Sequence, residues 1–319
     1  MLWWKILTGA VIAIVALAVL FIAFCAVTYF IVFFSPKKGQ NNDMRIPEGV
    51  NYERYGGIPK EMIKAAAAIP YENVGITARD GTKLTGRLYL NYPPDAPFAI
   101  CFHGYRGTPC RDFSGGLVSL IELGNNVLVV NQRAHGTSGG HTITFGIKER
   151  HDCHDWIDFC IGKFGNDLKI VLYGISMGAT TVLMACDEDL PANVKWIIAD
   201  CPFNAPEDII KSVTAGMGLP ASAAYVPIYC GARIFGRFDP GEITAEDGVR
   251  KSRTHITVIH GEADGYVPCS MSERFPEVNP LCERYVFPNA DHGVSYLEDK
   301  ERYEKLIREI NRKVVEGEV

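Results

Sequence analysis

A serine framed by glycines, Gly174-Ile175-Ser176-Met177-Gly178, stands where an apolar strand-like run (Ile170 to Tyr173) gives way to a helical pattern (Met177 to Cys186). That placement suits nucleophilic chemistry. The hydroxyl must stand exposed on a sharp, strained turn, and the glycines leave room for strand and helix to cross closely. Such a serine needs a base to take its proton and an acid to orient the base. Two later segments offer them, each directly after a strand-like run. His260-Gly261-Glu262-Ala263-Asp264-Gly265-Tyr266-Val267-Pro268 follows Ile256 to Ile259, and Pro288-Asn289-Ala290-Asp291-His292-Gly293 follows Arg284 to Phe287. Ser176, Asp264 and His292 then run in the order nucleophile, acid, base. A tetrahedral intermediate also needs two backbone N–H donors. Met177, at the start of the helix after the serine, supplies one. Tyr105, which follows His103-Gly104 at the end of the run Phe98 to Phe102, supplies the other.

The elements that must position these groups alternate along the chain. Glu72 to Ala78 and Lys83 to Leu90 flank Asp80-Gly81, a hairpin signal. Strand-like runs follow at Phe98 to Phe102, Val127 to Val130, Ile170 to Tyr173, Trp196 to Ala199, Ile256 to Ile259 and Arg284 to Phe287. Helical patterns lie between them, at Asp112 to Leu123, Ile147 to Phe164, Met177 to Cys186, Ser270 to Phe275 and Val294 to Val315. A hairpin followed by strand–helix alternation implies a mostly parallel sheet with helices on both faces. The stretch from Asp200 to Arg253 is too long to be a plain loop. Its helical signals at Glu207 to Val213 and Ser222 to Phe235, punctuated by Pro206, Pro220 and Pro227, predict a helical lid at about 203–250.

With these motifs in view, residues Asn73 to about Val315 resemble the α/β-hydrolase family. They are most similar to the branch that holds bacterial esterases with a His-Gly oxyanion loop, serine-aminopeptidase-like hydrolases and membrane-anchored relatives. His260 to Pro268 matches the family's His-Gly-x-x-Asp-x-x-Val-Pro, so the resemblance implies Asp264 as the acid. Glu262, Asp200 and Asp291 are the competing carboxylates. Asn131 to Gly139 is similar to the family's Asp-x-Arg-Gly-His-Gly-x-Ser segment, with Asn131 and Ala134 as departures at structural loop positions. The resemblance implies structural roles for His103 and His260. It implies a serine hydrolase that cleaves an acyl ester through an acyl-enzyme, without a cofactor, and the substrate is expected to be a small acyl ester or a lipid-like one. A peptidase, amidase or thioesterase could use the same triad, and a non-catalytic binding protein could use the same fold.

Composition narrows the classes further. The 319 residues carry a net charge of −5, which removes the electrostatic case for nucleic-acid binding. His151 and His154 are one helical turn apart, but no second segment has metal-ligand spacing, so a solvated helix face is expected there and no metal. Ile6 to Phe34 is uncharged and apolar, longer than the roughly 7–15 residues of a signal-peptide core, and no small-x-small cleavage site follows. An uncleaved transmembrane anchor over residues 1–36 is expected, with Trp3, Trp4, Lys5 and Tyr29 at the membrane interfaces. A breaker-rich linker over 37–70 joins it to the hydrolase domain, 71–319. Lys37, Lys38 and Arg45 after the helix outnumber Lys5 before it, which favours the cytoplasmic side for the domain, with a signal anchor and an outside domain as the alternative. The scattered cysteines agree, since they read as buried reduced thiols and not as a disulfide framework.

Overall fold

The computed structural model describes residues 2–36 and 52–318; Lys37, Lys38, Arg45 and the first part of the linker lie outside the described residues. Eight strands form one sheet in the order β1-β2-β4-β3-β5-β6-β7-β8. They are β1 (Glu72–Thr77), β2 (Lys83–Tyr89), β3 (Phe98–Phe102), β4 (Asn126–Asn131), β5 (Ile170–Ile175), β6 (Val194–Asp200), β7 (His255–Gly261) and β8 (Cys282–Phe287). The β1/β2 and β2/β4 pairs are antiparallel and every other pair is parallel. Strands β3, β4 and β5 are buried along nearly their whole length, which is why they read as unbroken apolar runs.

The helices are α1 (Leu2–Val32), α2 (Ile58–Ala68), α3 (Pro109–Asp112), α4 (Ser114–Glu122), α5 (Glu149–Phe164), α6 (Met177–Met184), α7 (Pro206–Gly216), α8 (Ala221–Gly231), α9 (Ala245–Lys251), α10 (Phe275–Val278), α11 (Ser295–Glu298) and α12 (Lys300–Glu316). One face of the sheet carries α5, α6, α9 and α10, with Trp156 fully buried beneath them. The other carries α2, α4 and α12, and α12 presents Tyr303, Ile307, Ile310 and Val314 at helical spacing. The single helix expected over Val294 to Val315 is two, because Asp299 turns the chain and caps α12 by accepting from the Arg302 N–H at 3.0 Å.

Between β6 and β7, α7 and α8 pack together and a π turn (Ala232–Gly236) extends α8. Helix α9 leaves this cap and returns to α6, where Gly248 sits so close to the Leu183 carbonyl that a Cβ would collide. A third apolar cluster lies under the cap, built from Phe145, Met177, Phe203, Ile209, Ile228, Phe238 and Val267. Tyr29 of α1 and Phe33, directly after the helix, belong to this same cluster. The helix expected to span a membrane over residues 6–34 therefore has its last turns against the cap, and Tyr29, expected at a membrane interface, is buried there. From Cys25 onward α1 turns a face to the cap, with Cys25 and Phe33 at 0% exposure and Tyr29 at 7%. The exposed apolar part, Trp3 to Phe24, is about 33 Å long. Helix α2, within the expected linker, packs on α4 through buried Ile63 and Ala66.

The face of α5 around His151 is also not the solvated surface expected. Glu149, Arg150, Asp152 and His154 are buried. Arg133 grips Asp152 with both prongs, with Nε 2.7 Å from Oδ2, and His154 Nε2 donates to the Ala185 carbonyl at 2.8 Å. Long-range pairing has drawn polar groups inward, which helical spacing alone cannot reveal.

Candidate active site

The turn between β5 and α6 holds Ser176 at φ 54°, a left-handed backbone that costs a non-glycine residue energy and persists only where the surroundings enforce it. Enforcement comes from both flanks. A Cβ on Gly174 would collide with the Gly178 carbonyl, and one on Gly178 with the Phe102 carbonyl. The Ser176 N–H donates to the Asp200 carbonyl at 2.8 Å.

His292 reaches Ser176 from the loop after β8. Its Nε2 lies 2.9 Å from the Ser176 Oγ and its Nδ1 2.8 Å from Asp264 Oδ2. The carboxylate can only accept, so Nδ1 carries the proton and Nε2 is the acceptor for the serine hydroxyl. Burial works against a charged imidazole, but the Asp264 hydrogen bond and charge outweigh it and hold the His292 pKa above its ordinary value. Burial alone would raise the Asp264 carboxyl as well. His260, whose Nε2 is 3.5 Å from Oδ2, together with His292 and the Val267 N–H, holds it well below the usual carboxylate range. His260 itself is fixed between Ser272 Oγ at 2.8 Å and the Val267 carbonyl at 2.9 Å.

The competing carboxylates go elsewhere. Glu262 is exposed. Asp291 Oδ1 accepts from the N–H groups of His292 at 2.7 Å and Gly265 at 3.1 Å, so it ties the two loops together without touching the imidazole ring nitrogens. Asp200 Oδ2 accepts from the Tyr303 hydroxyl at 2.7 Å, and burial pushes its carboxyl up to about 6. Cys201, Asp264 and His292 bring ligand-type atoms within 4.8 Å of one another. Both ring nitrogens of His292 are already engaged, so the cluster orients an imidazole and does not present a ligand set.

Met177 is the first residue of α6, so its N–H has no intrahelical acceptor. The Tyr105 N–H sits on the turn after β3, which abuts the serine: a Cβ on Gly104 would lie 3.3 Å from the Ser176 Cβ. Two groups that sequence reasoning missed hold this turn. Asp112 Oδ2 accepts from the Gly104 N–H at 2.8 Å, and His135 Nε2 accepts from the Arg106 N–H at 3.0 Å. Burial drives His135 down to about 3, so it is neutral and free to accept. The only sequence signal was the His-Gly of the Asn131 to Gly139 segment. An aspartate eight positions after Gly104 forms no pattern. His103 is buried, with Nδ1 donating to the Gly104 carbonyl at 2.8 Å and Nε2 accepting from the Gln132 N–H at 3.2 Å.

Beside Ser176 and His292 opens a cavity of about 270 Å³, walled by Met62 and Ile63 of α2, Tyr105, Tyr266, Tyr296 and Leu297, with Tyr173, Asp200 and Tyr303 among its lining.

This sheet order and site describe the α/β-hydrolase fold. The Pyrococcus furiosus esterase Pf2001 superposes with a TM-score of 0.64 at 23% identity, over 78% of this chain and 93% of that one. Est1E from Butyrivibrio proteoclasticus gives 0.57 at 20% identity, over 76% and 98%. Among curated relatives, YqkD of Bacillus subtilis (strain 168), itself uncharacterized, is 28% identical over 191 residues, 59% of this chain. That match spans 63% of the length of YqkD, less than two thirds. YfhR of Escherichia coli O157:H7, likewise uncharacterized, is 24% identical over 226 residues, 69% of this chain and 73% of that one. No protein-family model matches the chain.

Proposed function

We propose that the chain is a serine hydrolase that cleaves carboxylic esters, with Ser176 as nucleophile, His292 as general base and Asp264 as the acid that orients it. The observation that carries this reading is the hydrogen-bonded chain from Ser176 Oγ to His292 Nε2, and from His292 Nδ1 to Asp264, at the mouth of a cavity. Ser176 Oγ attacks the acyl carbonyl as His292 takes its proton. The Met177 and Tyr105 N–H groups receive the oxyanion, and Asp264 stabilises the imidazolium. His292 returns the proton to the leaving alcohol, then activates the water that frees the acid from the acyl-enzyme. The similarity to a protein named an esterase favours an ester substrate. A cavity of about 270 Å³, at the small end of ligand pockets, favours a short acyl group.

Helix α1 is long and apolar enough to cross a membrane, and we read it as a retained anchor, with the domain on the cytoplasmic side. A cleaved leader would strip Cys25 and Phe33, both fully buried, from the cap.

The test uses the full-length chain in detergent. A fluorophosphonate probe should label the wild type and not the Ser176→Ala variant, and a p-nitrophenyl ester series should turn over faster than aminoacyl anilides. A folded wild type that neither labels nor hydrolyses any of these would overturn the assignment.

A further inference from the structure

We infer that the last turn of α1 is a working part of the site: by receiving the side chains of Tyr105 and Arg106, it holds the turn that carries the Tyr105 oxyanion donor. This rests on the hydrolase reading above. An α-helix ends with carbonyls that have no intrahelical partner. Here they are met by neighbours in the oxyanion turn. The Tyr105 hydroxyl donates to the Val32 carbonyl at 2.7 Å, and Arg106 Nη2 donates to the carbonyls of Ile31 at 2.9 Å and Phe34 at 3.3 Å. Tyr105 and Arg106 are the two central residues of the turn closed by the Gly107 N–H on the Gly104 carbonyl at 3.0 Å.

That turn needs holding. Arg106 sits at φ 51°, in the left-handed region that a non-glycine residue occupies only under constraint. Its N–H is bound by His135 at 3.0 Å, its carbonyl by Arg111 at 3.1 Å, and its guanidinium lies 5.0 Å from the Tyr105 ring centroid while it clamps α1. The helix end is itself fixed from a second side. The Ser35 N–H donates to the His141 carbonyl and the Ile143 N–H to the Phe33 carbonyl, each at 2.8 Å. The Phe33 ring packs on Phe145 at 5.7 Å and Phe238 at 5.2 Å, and Phe145 packs on Tyr105 at 5.1 Å. The helix end is therefore a fixed post against which the turn leans. Met177, on α6, has no such dependence. Loosening α1 should then misplace one donor of two and leave the nucleophile and base untouched.

Tyr105→Phe removes only the hydroxyl that reaches Val32 and keeps the backbone N–H. Arg106→Ala removes the clamp, and Arg106→Lys keeps a donor. Each is made in the full-length chain in detergent and assayed with a short, soluble p-nitrophenyl ester. Fluorophosphonate titration counts working sites, so turnover is expressed per site. The expected result is a fall in kcat of about tenfold for Tyr105→Phe and up to about a hundredfold for Arg106→Ala, up to the lower edge of the range for an oxyanion donor lost outright. KM should change little, and Arg106→Lys should recover part of the loss. Inhibition by a trifluoromethyl ketone, whose hemiketal adduct with the Ser176 Oγ places its oxyanion where the ester's would be, should weaken in the same proportion as kcat/KM. Unchanged kcat per site in both Tyr105→Phe and Arg106→Ala, with wild type active, would overturn the inference and leave the hydrolase reading standing. So would a loss that appears only as fewer titratable sites. A wild type that neither labels nor turns over would overturn both.

Discussion

Asp264 and His292 hang from loops that leave the adjacent strands β7 and β8, only 28 residues apart in the chain, and the contacts that fix them come from those same loops. Tyr105 and Arg106 lean on carbonyls more than 70 residues earlier, at the end of a helix outside the sheet. The acid–base half of the site is thus built from one corner of the fold. The oxyanion half is assembled from distant pieces of chain: the end of α1, the turn after β3 and the start of α6. Local construction tolerates change elsewhere in the molecule, whereas an assembled half inherits every disturbance of its remote support.

Losing the nucleophile, or the local half that serves it, should cost most. Ser176→Ala should abolish probe labelling and lower kcat by about 10⁴-fold or more, read in a steady-state ester assay. Asp264→Asn should cost about 10³–10⁴-fold, while Glu262→Gln and Asp291→Asn stay within about tenfold; a larger loss in either would move the acid assignment. In the assembled half, Asp112→Ala leaves the Gly104 N–H without its acceptor and should lower kcat by about 10–100-fold with KM nearly kept. The pH profile sharpens the contrast. His292 must be neutral to act, and its pKa is raised, so kcat/KM should be full above that raised pKa and fall as pH drops through it. Asp264→Asn removes the supporting charge and should move the acid limb to lower pH, whereas Arg106→Ala should leave the limb in place. The smallest effect belongs to His151→Asn, far from either half, which should change activity less than twofold and stability by within about 0.5 kcal/mol in thermal unfolding.

The same division explains what is legible in the sequence. Strands buried on both faces announce themselves as apolar runs, so β3, β4, β5 and β7 and the sheet they form were legible. So were Ser176, Asp264 and His292 as candidates, because each follows a strand, and His292 lies within hydrogen-bond reach of both Ser176 and Asp264. What failed to register depends on partners far away in sequence. Asp152 on α5 looked solvated because its spacing is that of a surface helix, but Arg133 draws it inward. The end of the apolar stretch was expected in the membrane, with Tyr29 at its interface, because Phe33 is equally apolar toward a bilayer or toward Phe145 and Phe238. Arg106 and Asp112 carry no pattern at all, since their roles exist only once the turn after β3 is folded against its neighbours.

The burial of Tyr29 and Phe33 in the cap has a further consequence for the proposed anchor. A lone transmembrane helix meets a bilayer thinner or thicker than itself by changing its tilt. Helix α1 is gripped over its final turns by Pro227, Gly231 and Phe238 of the cap and by the turn after β3, so its angle to the domain is set by the protein. Hydrophobic mismatch must then be met by deformation of the lipid or by rocking of the whole domain against the membrane surface.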